Sequence, residues 1–367
     1  MKGNRKSNIE ILRIISMLCI ICFHYVYKSG YIVENLSINS FFIKIFWFFG
    51  EFGVNIFMLI MGYFMVHGKF SFKKLICLIL EVDFYYLISM YIANKLGISK
   101  IEPSVRSYVL LFFPTIINKY WFITAYILVY IISPYLNILI KNMEERTYKK
   151  FLLTVLILWC VIPTIFGIFY NNTETLMYYS RFLWFIIMYF VGAYIRLYSK
   201  FKKSICLRNA LLSFLAMILG ILIIYKFRNV FDSLGTKELS YFWTPNTIPM
   251  FIFSISIFEI FLKIDVGSIK IINKIASTTL GIYIMHDGVL NPYIWQVIFK
   301  TFQHLHGNFP IIHILSASIM IFCVGLIIDL IRQFIEKITI KKFLDSNISQ
   351  KISKKLENCG NKILDII

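Results

Sequence analysis

Residues 9–27 read IEILRIISMLCIICFHYVY. At 1.5 Å per residue this run nearly crosses the hydrocarbon core of a bilayer, and almost every position in it is apolar. Beyond Glu10 near its start and the small Ser16, two positions are not: Arg13 and His24 lie inside it. A cation at membrane depth costs roughly 2.5–3.5 kcal/mol on insertion scales, so each polar group needs a reason to be there. Arg13 and His24 are separated by ten residues, and at 100° per residue they return to within about 20° of one helix face, about 16 Å apart along the axis. One face of the first helix therefore carries a cation towards one side of the membrane and an imidazole towards the other. The simpler readings are an Arg13 that snorkels or pairs with Glu10, and a His24 satisfied by a backbone carbonyl.

The rest of the chain extends this pattern. With 59% hydrophobic residues, 18% aromatics and a mean hydropathy of +0.73 over 367 residues, no soluble core would hide the apolar surface. The expected fold is all-α, a polytopic membrane bundle of about ten transmembrane helices. They are placed near 9–27, 41–67, 73–93, 120–140, 151–170, 181–198, 209–227, 245–262, 274–293 and 309–334. Glu81 and Asp83 interrupt the third, and His286 and Asp287 the ninth. The longest loops, 94–119 and 228–244, are too short to bury a core of their own. The reading divides the chain into a transmembrane domain over 1–340 and a basic tail over 341–367. In that tail Lys341, Lys342, Lys351, Lys354 and Lys355 alternate with Ile and Leu, as an amphipathic helix on an anionic leaflet or a solvated tail would. MKGNRK resembles the basic start of a signal peptide, but Arg13 interrupts the apolar run and no small-residue cleavage site follows, so the segment is expected to stay as the first helix.

A net charge of +19 would suggest nucleic acid in a soluble protein. Here the cations sit in clusters between apolar runs, which points to cytoplasmic loops and away from nucleic acid. With the N-terminus placed inside, that side collects 26 Lys and Arg against 10 on the other. Both termini are therefore expected in the cytoplasm, with an even number of helices. The seven cysteines are scattered and give no disulfide framework. Cys19, Cys22 and His24, and separately His304 and His306, lack a complementary ligand set, so no metal is expected.

Other polar groups at membrane depth widen the candidate site. Glu51 and Asn55 share a face of the second helix with Gly62; Glu51 could orient His24 or make a salt bridge elsewhere. Arg181 opens the sixth helix on the outer side. His286 comes to a depth similar to His24, where it could face the same cavity or bond Asp287 or Tyr283 as interhelical glue. The cluster Phe41, Phe42, Phe46, Trp47, Phe48 and Phe49 reads as a lipid-facing belt.

Four motifs, in order, carry a family resemblance: R-IISMLCIICF-H (Arg13 to His24), GVNIFMLIMGYFM (Gly53 to Met65), YWFITAYILVYIISPYLN (Tyr120 to Asn137) and TLGIYIMHDGVLNPYIW (Thr279 to Trp295). Together they resemble the acyltransferase 3 family of bacterial integral membrane acyltransferases. Met61 stands where that family usually has Ser, and Lys73 and Lys74 stand where it commonly has a basic pair with a second Arg. The resemblance implies transfer of an acyl group, usually acetyl from acetyl-CoA, to a hydroxyl of a cell-surface or lipid-linked carbohydrate. It implies His24 as base, with Arg13 and His286 as further catalytic candidates; Glu51, from its depth in the second helix, is a fourth. Arg13, Lys73 and Lys74 are then candidates for holding acyl-CoA, though lysines lack the bidentate fork of Arg. Arg181 and Trp121 are candidates for meeting the acceptor. The setting is the bacterial cell membrane, with the bilayer as partner. The face Arg13, Met17, Ile20 and His24 is expected to turn inward and line a tunnel for the donor. The competing readings are a transporter or flippase, which often shows internal repeats not found here, and a polymerase of lipid-linked glycans.

Overall fold

The computed structural model describes residues 6–32, 37–99, 104, 111, 114–115, 119–166, 180–233 and 244–339. The basic tail expected over 341–367 lies outside them. Among the described residues the apolar helices are α1 Ser7–Tyr27, α2 Ile38–Met65, α3 Phe72–Lys95, α4 Trp121–Lys141, α5 Glu145–Phe166, α6 Arg181–Tyr198, α7 Lys203–Lys226, α8 Ile248–Leu262, α9 Thr279–Asp287 and α10 Pro310–Ile338. Eight are long and apolar enough to cross a membrane; α8 and α9 are shorter. The chain is a polytopic helical membrane protein, and no strand occurs among the described residues.

Without water, each helix interruption must recover its lost backbone hydrogen bonds from nearby side chains. In α4, Pro134 removes the donor to the Tyr130 carbonyl, and the Ser133 hydroxyl donates to that carbonyl instead at 2.8 Å. In α5, a π-helical stretch Ile157–Val161 leads into Pro163. There the Trp159 carbonyl, four residues before the proline, accepts from Asn246 Nδ2 at 3.0 Å. At the start of α2, Ser37 and Ser40 form a reciprocal capping box.

The helix that carries Arg13 and His24 is central. α1 packs on α2 most extensively and also touches α8, α9 and α10. Met17 and Ile20 are almost fully buried and His24 is 7% exposed, so this face turns into the bundle as expected. The end of α1 at Ser7 is tied to the segment before α9: the Ser7 hydroxyl donates to Asn273 Oδ1 at 2.9 Å and accepts from the Ile269 N–H at 2.7 Å. α2 and α6 cross in backbone contact. A side chain at Gly62 would collide with the backbone of Tyr189, and one at Gly192 with the Leu59 carbonyl. Such close approach between apolar helices supplies the packing that the hydrophobic effect cannot supply in lipid.

Of the charged residues that interrupt α3, Glu81 has a partner near the end of α10. Arg332 is an ionic hub, with Nη2 2.9 Å from Glu81 Oε1, Nε 2.6 Å from Asp329 Oδ1 and Nη1 2.7 Å from Glu336 Oε2. Tyr85 and Gln333 also donate to Asp329, at 2.8 and 2.7 Å.

The continuous ninth span expected over 274–293 is replaced by short pieces: Lys270–Ala276, then α9, then a π-helical turn Tyr293–Ile298. The chain leaves the helix at Gly288, where a Cβ would meet the Tyr120 hydroxyl and the Ile284 carbonyl. The chain turns at residues 288–290 and becomes helical again at Asn291, with Pro292 in the first turn, where its missing donor has no intrahelical partner to lose.

Candidate active site

The last turn of α9 meets the last turn of α1. His24 Nδ1 and His286 Nε2 are 2.9 Å apart, and His286 Nδ1 is 2.6 Å from the Ile282 carbonyl oxygen. A carbonyl can only accept, so His286 Nδ1 carries a proton. With both rings neutral, His286 Nε2 is then an acceptor, and His24 Nδ1 must donate to it. The chain of bonds fixes both tautomers and leaves His24 Nε2 as an unprotonated nitrogen. His286, placed at the same depth as His24 by the sequence, is thus in direct contact with it, and it bonds a carbonyl of its own helix rather than Asp287 or Tyr283.

Facing His24 Nε2 is the carboxylate of Asp287, with Oδ2 at 3.8 Å. Its other oxygen lies 3.5 Å from Lys28 Nζ. Lys28 is steadied through its carbonyl, which accepts from Gln296 Nε2 at 2.6 Å. Asp287 is therefore the carboxylate that attends His24, and it had been read only as a possible partner of His286. Tyr120 and Tyr283 complete the wall. Both phenols are almost fully buried, both feel the charge of Asp287, and the Tyr120 hydroxyl has no hydrogen-bond partner among the described residues. Behind the imidazoles, Trp295 stands edge-on to His286 with ring centres 6.2 Å apart.

The remaining candidates divide into groups. Arg181 stacks on the Trp121 ring at 4.1 Å, so the two residues expected to meet the acceptor are adjacent, and the guanidinium acts electrostatically on Glu51 and Tyr283. Glu51 thus answers to Arg181, and no contact joins it to His24. Arg13 Nη1 pairs with Glu10 Oε2 at 2.9 Å, and its charge also reaches Tyr126 of α4. Lys73 and Lys74 are exposed on the first turn of α3, capped by Ser71, away from the imidazoles. His304 stacks flat on His313, ring centres 3.6 Å apart, and His313 Nδ1 lies 2.5 Å from the Tyr25 hydroxyl. No group of three or more His, Cys, Asp or Glu that could hold a metal ion occurs among the described residues.

Fold and site together define a multi-pass membrane protein with a hydrogen-bonded imidazole pair and an adjoining carboxylate buried where two helices end. Residues 6–330, nearly the whole chain, match the family model Acyl_transf_3, described as an acyltransferase domain. The chain belongs to that family and is a membrane acyltransferase. No curated protein and no solved structure gives a match.

Proposed function

We propose that the protein transfers an acetyl group from acetyl-CoA to a hydroxyl of a cell-surface or lipid-linked carbohydrate. The observation that carries this reading is the hydrogen-bond chain from the Ile282 carbonyl through His286 to His24, which leaves His24 Nε2 free to act as base. The acceptor hydroxyl gives its proton to His24 Nε2 as its oxygen attacks the thioester carbonyl. The resulting tetrahedral oxyanion needs a donor, and the buried Tyr120 hydroxyl is suited to provide one. The C–S bond then breaks, the ester remains on the acceptor, and the proton on His24 passes to the departing thiolate to give CoA. Asp287 stabilises the imidazolium that exists between these two transfers.

Arg13 supplies fixed positive charge along the same helix face, on the donor's approach to His24. Lys73 and Lys74 attract the phosphates of CoA as point charges at the cytoplasmic face. Arg181 on Trp121 presents a flat, cationic platform to a sugar at the opposite end. The donor enters from the cytoplasm, both termini lie there, and the membrane is the bacterial inner membrane. The transporter, flippase and polymerase alternatives find no support in the family membership.

The test is an acetyl-transfer and hydrolysis assay with labelled acetyl-CoA on the purified protein, comparing wild type with His24→Ala and Arg13→Ala. Loss of the general base is expected to lower the rate by about 10²–10⁴-fold. Equal rates in all three proteins would remove the proposed chemistry. Protonation of His24 Nε2 abolishes the base, so kcat/KM is expected to fall on the acid side of the pH profile.

A further inference from the structure

We infer that Asp287 determines acceptor specificity: it holds the hydroxyl adjacent to the one that is acylated, so the acceptor is a vicinal diol such as a sugar ring presents. The inference rests on the reading of His24 as the base. Two acceptor atoms face each other at this point, His24 Nε2 and Asp287 Oδ2, 3.8 Å apart. That separation is too long for a direct hydrogen bond between them. The tautomers fixed by the Ile282 carbonyl leave His24 Nε2 without a proton of its own to offer. Asp287 cannot turn away freely, because its second oxygen is held by Lys28 and its side chain is only 10% exposed.

A simple alcohol has one hydroxyl proton and satisfies one of these atoms. If that proton goes to His24, Asp287 steadies the imidazolium, but the growing negative charge on the alcohol oxygen lies beside the same carboxylate, and those like charges oppose the step. Two neighbouring hydroxyls resolve both problems. One donates to His24 Nε2 and reacts; the other donates to Asp287 Oδ2 and stands between the carboxylate and the reacting oxygen. Because the carboxylate is mostly withdrawn from water, an acceptor that lacks the second hydroxyl brings Oδ2 no donor on the side facing His24, which is the arrangement that gives discrimination against deoxy analogues.

The experiment uses the full-length purified protein with acetyl-CoA and two probe acceptors, trans-cyclohexane-1,2-diol and cyclohexanol. The readout is the ratio of their kcat/KM values in wild type, Asp287→Asn and Asp287→Ala. The wild type is expected to favour the diol by about 10- to 100-fold, the worth of one hydrogen bond to a charged group. Asp287→Ala is expected to bring the ratio down to about two, the statistical advantage of two hydroxyls, whatever it does to the rate with cyclohexanol. Asp287→Asn, which keeps an acceptor oxygen, is expected to fall between. A purely structural role would lower both rates together and leave the ratio unchanged, and that result overturns the inference. So does a wild type that shows no preference for the diol. If wild type and His24→Ala transfer acetyl to no alcohol at different rates, the underlying reading of His24 fails and the inference falls with it.

Discussion

In the proposed chemistry His286 acts through a bond it makes to its own helix: by donating to the Ile282 carbonyl, it fixes which nitrogen of a neutral His24 is bare. His286→Ala removes that constraint and is expected to lower kcat by about 10- to 100-fold, the usual cost of losing a residue that orients a functional histidine, with KM little changed. Steady-state kinetics on the purified variant check it. Tyr120→Phe separates catalysis from stability. As an oxyanion donor the hydroxyl is worth about 10²–10³ in kcat, whereas removing a buried hydroxyl without a partner leaves thermal stability unchanged or raised. A fall in melting temperature with kcat intact would assign Tyr120 to packing. Arg13 and His24 were legible because polar residues in an apolar run announce themselves and their spacing sets one face. Asp287 was visible for the same reason, but its role was not. Whether a carboxylate beside a histidine serves that histidine or one from another helix is decided by packing between residues 262 positions apart.

Among the elements, long apolar runs made the spans of α1 to α8 and of α10 readable to within several residues. α9 was not readable as a half-length helix, because the residues that stop it also occur in longer spans, and the stop depends on how closely Tyr120 approaches Gly288. The ionic hub on α10 was likewise hidden: Glu81 stood out in α3, but nothing local shows that Arg332 is its partner. Arg332→Ala would leave Glu81, Asp329 and Glu336 without their shared cation, and loss of about 3–5 kcal/mol is expected, read as a lower melting temperature in detergent. Glu336→Gln keeps the other two pairs and is expected to cost much less. At the α2–α6 crossing, Gly62→Val is expected to prevent folding or sharply reduce the yield of monodisperse protein in size-exclusion chromatography, because the obstruction at Tyr189 is backbone and cannot swing aside.

For the whole molecule, the strong bias of Lys and Arg to one side predicts that a fluorescent protein fused after Ile367 folds and fluoresces in the cytoplasm. A dark fusion with normal protein levels would invert the bundle and exchange the sides from which donor and acceptor approach. The half-length of α9 matters at this scale. Nine residues rise about 13 Å, less than half of a hydrocarbon core of about 30 Å. Because the last turn of α9 lies level with the last turn of α1, the missing half of α9 is on the side where α1 begins, and His24 sits three residues, about 4.5 Å, from the far end of α1. On the proposed reading an acceptor held in water beyond that far end has only this shallow depth to enter, whereas the donor must cross most of the bundle from the other side.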